Sequence, residues 1–175
     1  MLKFNVMIKG VAPLLFNRFP EEDNPGDKSK GKSAVLSKDE QVKKSIYRDE
    51  KGQVYSPADH LIGAMTKAAT SFKLEGKKTF KDVAKAGVFI NPLKVAHLNQ
   101  QYIADWRPVV INRGRVMKGR ARMDDWSLKF ELVCIDDRAT AKDIQEILEY
   151  AGTYVGIGDY RPRYGRFEVI EFVRI

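Results

Sequence analysis

Two segments of this 175-residue chain repeat apolar residues at helical spacing behind a capping signal, and each stands between stretches that alternate. Ser56-Pro57-Ala58-Asp59 reads as a helix start: a serine cap, a proline at the first helical position and an acid three residues after the cap. Leu61, Ile62, Met65, Ala68, Ala69 and Phe72 then predict an amphipathic helix to about Leu74. Thr140 with Asp143 caps a second helix, whose Ile144, Ile147, Leu148 and Ala151 face one side. Leu2, Phe4, Val6 and Ile8 alternate with Lys3, Asn5, Met7 and Lys9, the pattern of a half-buried first strand. Val88-Phe89-Ile90 and Leu93-Lys94-Val95 read as short strands around Asn91-Pro92. Arg107–Val116 and Trp126–Asp136 read as two strands of one hairpin, with Lys118-Gly119-Arg120-Ala121-Arg122 as its basic tip; Phe167–Val173 is the last strand.

The order strand, helix, strand, strand, helix, strand predicts an α+β fold of the ferredoxin-like (RRM-like) βαββαβ kind, an antiparallel sheet with both helices on one face. The chain is expected to form one domain over 1–175, with large insertions at about 17–55 and 76–105. The first insertion is polar, and Ser37 with Glu40 three residues on caps a short helix in it. A stretch that long in a compact domain is usually functional or mobile.

The formal charge of +8 is unevenly spread. Arg107, Arg113, Arg115, Lys118, Arg120 and Arg122 give residues 107–122 six positive charges and no acid. Arg161, Arg163 and Arg166 against Asp159 give 156–166 two more, so these segments hold the whole excess. Charge concentrated in this way points to a polyanion, of which nucleic acid is the usual one, whereas a merely solubilising surface intersperses both signs.

Between the second helix and the last strand lies a loop with Gly156, Gly158 and Gly165, the three arginines, and Tyr160 and Tyr164. Glycine allows sharp turns or close backbone approach, arginine supplies forked donors for phosphate, and tyrosine offers a face on which a base stacks. The competing reading is that Gly156 terminates the helix and Gly165 marks a bulge. The loop follows a helix C-terminus, whose partial charge is negative, so arginines and backbone N–H groups must hold any phosphate. A dinucleotide fingerprint, which follows a strand and opens a helix, does not fit. Trp106 and Trp126 are either stacking partners or core residues.

The single cysteine, Cys134, excludes a disulfide framework, fits a reducing compartment and sits in a strand pattern as a buried bystander. No apolar run reaches the roughly 20 residues of a membrane span, and the first residues open directly into the strand pattern rather than a signal peptide. A cytoplasmic protein is expected. No His, Cys or carboxylate cluster has metal-ligand spacing and no Ser/His/Asp or Walker pattern occurs, so neither a metal nor a cofactor is expected.

Tyr55-Ser56-Pro57-Ala58-Asp59-His60-Leu61-Ile62-Gly63-Ala64-Met65 resembles the opening of the first helix in the RAMP superfamily, the ferredoxin-like repeat-associated proteins of CRISPR antiviral defence. The loop Gly156–Phe167 resembles that family's glycine-rich loop, and Val6–Leu14 its first strand and following turn. The resemblance touches about a third of the chain, most like the backbone subunits that coat guide RNA in effector ribonucleoproteins. It implies sequence-independent backbone contacts to single-stranded RNA, with DNA as an alternative, a homo-oligomer along the nucleic acid, and other effector subunits as partners. It also implies a hairpin "thumb", a part Arg113–Arg122 could play. Two further readings stay open: an endoribonuclease of the same fold that processes a guide-RNA precursor, and a phage or mobile-element interaction protein without a nucleic-acid role. For the ribonuclease the family implies a histidine near the first helix, where His60 stands with Lys67 nearby, or an acid after the first strand, where Asp23 and Asp27 lie.

Overall fold

The computed structural model describes residues 1–18, 37–111 and 113–175. In chain order the elements are β1 (Leu2–Gly10), β2 (Leu14–Leu15), α1 (Lys38–Ser45), β3 (Tyr55–Pro57), α2 (Ala58–Ala68), β4 (Lys73–Glu75), β5 (Lys78–Thr79) and α3 (Lys81–Gly87). They continue as β6 (Val88–Asn91), β7 (Lys94–Ala96), β8 (Ile103–Ile111), β9 (Gly114–Met123), β10 (Ser127–Cys134), α4 (Ala141–Tyr150) and β11 (Phe167–Arg174).

The central sheet has the order β11-β1-β10-β6, and every neighbouring pair is antiparallel. The alternation read in β1 is its burial pattern: Phe4, Val6 and Ile8 are buried, while Asn5 and Lys9 are exposed. Leu128, Phe130 and Leu132 of β10 and Val88 and Ile90 of β6 continue that apolar face. Against it pack α2, through Leu61, Ala64 and Met65, and α4, through Ile144, Ile147 and Leu148, and the two helices touch. The result is an α+β domain with its main core between one sheet and one helical layer.

Local signals placed most elements. Ser37 and Glu40 form the expected capping box on α1, and Thr140 and Asp143 form one on α4. Ser56 does not cap α2: Pro57 holds the cap position with no side-chain bond, and Ser56 Oγ lies 2.9 Å from His97 Nε2 in the core. The helix stops at Ala68, followed by a 3₁₀ turn over Ala69–Ser71, short of the expected Leu74. Cys134 is buried in β10, and burial pushes its thiol above the ordinary range.

The expected hairpin is paired differently. β10 joins the central sheet beside β1, and the partner of β8 is β9, from Ile103↔Arg122 to Ile111↔Gly114. Lys118–Arg122 therefore lies within a strand, and the last pair of the hairpin is Ile111↔Gly114. Ala121 and Met123 supply the buried alternation that holds β9 on the body, masked in sequence by the cations between them. Gly119 opposes Trp106, whose ring lies across it; a Cβ there would meet Trp106 Cη2 at 2.6 Å. β2 adds to β9 at the base of the hairpin, and α1 packs behind it, where Ser45 Oγ accepts from Ala121 N–H at 2.8 Å.

Candidate nucleic-acid interface

α4 runs into a single π turn over Ala151–Val155, and Gly156 reverses the chain with φ +73°. The loop that follows is sewn to the segment after β1. Ile157 N–H donates to Gly165 O at 2.9 Å, Asp159 N–H to Leu15 O at 2.9 Å, and Gly165 N–H to Pro13 O at 2.8 Å. The close approach permitted by the glycines is to the chain's own backbone. A Cβ would lie 2.8 Å from Tyr164 O at Gly156, 2.7 Å from Leu15 O at Gly158 and 1.7 Å from Ile157 O at Gly165. Gly156 does terminate the helical segment, and with Gly165 it shapes a rigid platform for the side chains between them.

Those side chains meet the β8–β9 hairpin. Arg107 forks onto Asp105, donates to the Tyr164 hydroxyl, and lies 4.7 Å from the Tyr164 ring centroid and 5.3 Å from that of Tyr160. Arg122 spans Asp105 and Asp124 at 2.8 Å each. Arg120 is 5 % exposed; its Nε is 3.1 Å from Asp159 Oδ2 and its guanidinium 5.2 Å from the Tyr160 ring. The hydrogen bond from Arg107, aided by Arg122, holds the Asp105 carboxyl below the usual carboxylate range. The acids that balance these arginines come from just outside the 107–122 window and from the glycine loop. Arg107, Arg120, Arg122, Tyr160 and Tyr164 thus form a clasp that fixes the hairpin base to the loop. Trp126 is fully buried, its Nε1–H donating to Ala12 O at 2.8 Å, so it is a core residue; Trp106 is half-buried over Gly119, with Lys38 Nζ at 5.9 Å.

The remaining cations stay outside. Arg113, at the hairpin turn with φ +65°, and Arg115 are exposed, as are Arg161, Arg163 and Arg166. None of these five is in an ion pair among the described residues. Lys118 donates to Asn17 Oδ1 at 3.0 Å. On β9, Gly114 to Arg120 spans six strand residues, so the tip stands about 20 Å from the clasp.

Between the loop, the 14–17 segment and the start of α2 lies a cavity of about 120 Å³, lined by Asn17, Tyr47, Ser56, His60, Gly158 and Asp159 among others. His60 meets the Tyr47 ring edge-on at 5.5 Å. Burial, and then the neighbouring Arg161 charge, push the His60 imidazolium below its ordinary pKa against the opposing pull of Asp59. Asp23 and Asp27 lie outside the described residues. No group of three or more His, Cys, Asp or Glu among the described residues could hold a metal, and no described helix is long and apolar enough to cross a membrane.

No family model and no curated protein matches the chain. Among solved structures it resembles a CRISPR protein from Archaeoglobus fulgidus, at 14 % identity and a TM-score of 0.43. That match covers all of this chain and 64 % of the other, so the chain spans less than two thirds of that protein's length. At that level of likeness, function has to be argued from the chain's own residues.

Proposed function

We propose that the chain is a ferredoxin-like protein of the RAMP type that binds single-stranded RNA through sequence-independent contacts to its backbone. The observation that carries this reading is the segregation of its arginines. Arg107, Arg120 and Arg122 are consumed by internal acids, while Arg113, Arg115, Arg161, Arg163 and Arg166 remain exposed on two elements that the clasp binds together. Forked cations spaced along about 20 Å of surface suit a chain of phosphates better than a compact anion. The strand order β11-β1-β10-β6, with α2 and α4 on one face, supports the fold half of the reading. Coating of a guide strand by successive copies, with other effector subunits alongside, extends the same proposal. Purified protein is expected to carry nucleic acid, seen as a raised 260/280 absorbance ratio that RNase treatment abolishes. A nucleic-acid-free protein that ignores added single-stranded RNA would contradict it, and would leave the reading as an interaction protein without a nucleic-acid role.

A second reading, RNA cleavage, has its own observation. His60 and Tyr47 face one cavity at the edge of the glycine loop, and the depressed imidazolium pKa leaves His60 neutral near pH 7, the form a general base requires. On this reading a labelled hairpin RNA is cut without added metal, and His60→Ala lowers the rate at least 100-fold. RNA left intact after long incubation with the wild type would exclude it.

A further inference from the structure

A second hollow shares no residue with the His60 cavity. It measures about 340 Å³ and is lined by Thr153, Tyr154, Pro162, Arg163 and Arg166. Its volume falls within the range of small-ligand sites, about 300–1,000 Å³.

Two of its lining residues, Thr153 and Tyr154, stand on the π turn that ends α4. Gly156 N–H reaches back to Ala151 O at 2.8 Å, closing a turn one residue wider than the helix before it. Such turns are rare and recur at functional sites, where the extra residue re-aims side chains. Here the turn is packed hard against β11: a Cβ on Gly152 would lie 2.2 Å from Phe167 O. With Gly152 and Val155 turned inward, Thr153 and Tyr154 are exposed.

Tyr154 is 62 % exposed, a large aromatic area to leave in water. It is nonetheless braced. Its ring lies 4.6 Å from that of Tyr150, which meets Phe72 edge-on at 5.5 Å and whose hydroxyl pairs with Ser71 Oγ at 3.3 Å. An aromatic ring held in place, with most of its surface open, pays little entropy when something stacks on it. Arg163 and Arg166 border the same hollow, and no acid among the described residues lines it.

We infer that this hollow is a nucleotide-binding site, in which Tyr154 stacks one base of a single strand while Arg163 and Arg166 hold its phosphate. The inference rests on the RNA-binding reading and narrows it to a particular residue. It assigns the loop arginines a shared ligand and gives the π turn a reason to exist. The stacking is sequence-tolerant, because every base presents a π face.

The test uses the full chain, a fluorescein-labelled 30-nucleotide oligo-U RNA and anisotropy titrations at several salt concentrations. Tyr154→Ala and Tyr154→Leu are expected to weaken binding about 5- to 100-fold, the size of one lost base–aromatic stack, while Tyr154→Phe binds like the wild type. The Tm of all three should match the wild type, since the ring is mostly in water. Arg163→Ala with Arg166→Ala should also weaken binding and flatten its salt dependence. Wild-type affinity in Tyr154→Ala and Tyr154→Leu would overturn the site while leaving RNA binding intact. Absence of RNA binding by the wild type would overturn the reading beneath it.

Discussion

His97 lies 3 % exposed in the core, edge-on to Phe16 and Trp126, with Nε2 at 2.9 Å from Ser56 Oγ and Nδ1 without a partner among the described residues. Burial pushes its pKa down to about 4. The folded value lies below the unfolded one of about 6.5, so the native state resists the proton that the unfolded chain accepts. Above pH 6.5 the group costs nothing; stability is lost as pH falls from there toward 4. Urea unfolding at pH 7 and pH 4.5 should show the wild type losing about 2.5 kcal/mol more than His97→Gln between the two. Equal losses would mean that the imidazole is not shielded as described. The Ser56–His97 pair also marks what local sequence hides. Ser37 and Thr140 were legible as caps because their partners stand three residues on. Ser56 carried the same local signature, but its partner lies 41 residues away and draws its hydroxyl into the core.

At the scale of the element, the β8–β9 hairpin separates arginines that look alike in sequence. Arg113→Ala with Arg115→Ala should weaken RNA binding with Tm unchanged, because both side chains are exposed and neither is in an ion pair among the described residues. Arg120→Ala should instead destabilise the fold. Removing one partner of a buried pair costs about 3–5 kcal/mol, and the 28 % exposure of the Asp159 side chain reduces that to about 2 kcal/mol here. Adding Asp159→Asn should recover part of the loss in urea unfolding. An Arg120→Ala protein as stable as the wild type would place that residue among the ligand contacts instead. The absence of acids from 107–122 was correct as a count and misleading as a surface, because Asp105, Asp124 and Asp159 close on it in space. Residues 118–122 of β9 read as a hairpin tip in the sequence because their cations hide the Ala121–Met123 alternation. The π turn left no local trace beyond an ordinary Gly152, whose need arises only from Phe167 across the fold.

For the whole molecule, the elements of the central sheet and its two helices were readable one by one, since each needed only its own periodicity and caps. Which strands would pair was a different question. Pairing β10 with Arg107–Val116 hides the β8–β9 arm, and with it the α1 buttress and the clasp to the glycine loop. That arm and loop together set out the exposed charge. RNA binding by this surface requires that those cations meet phosphates. If Arg113, Arg115, Arg161, Arg163 and Arg166 each release about 0.7 of a counterion from a single strand, log K against log salt should fall with a slope of about −3.5. The most direct measurement is the affinity of the full chain for a labelled 30-nucleotide single-stranded RNA between 50 and 300 mM salt. That slope is expected, with little difference between oligo-U and oligo-A; no binding at 50 mM, or an affinity indifferent to salt, would contradict RNA binding through these cations.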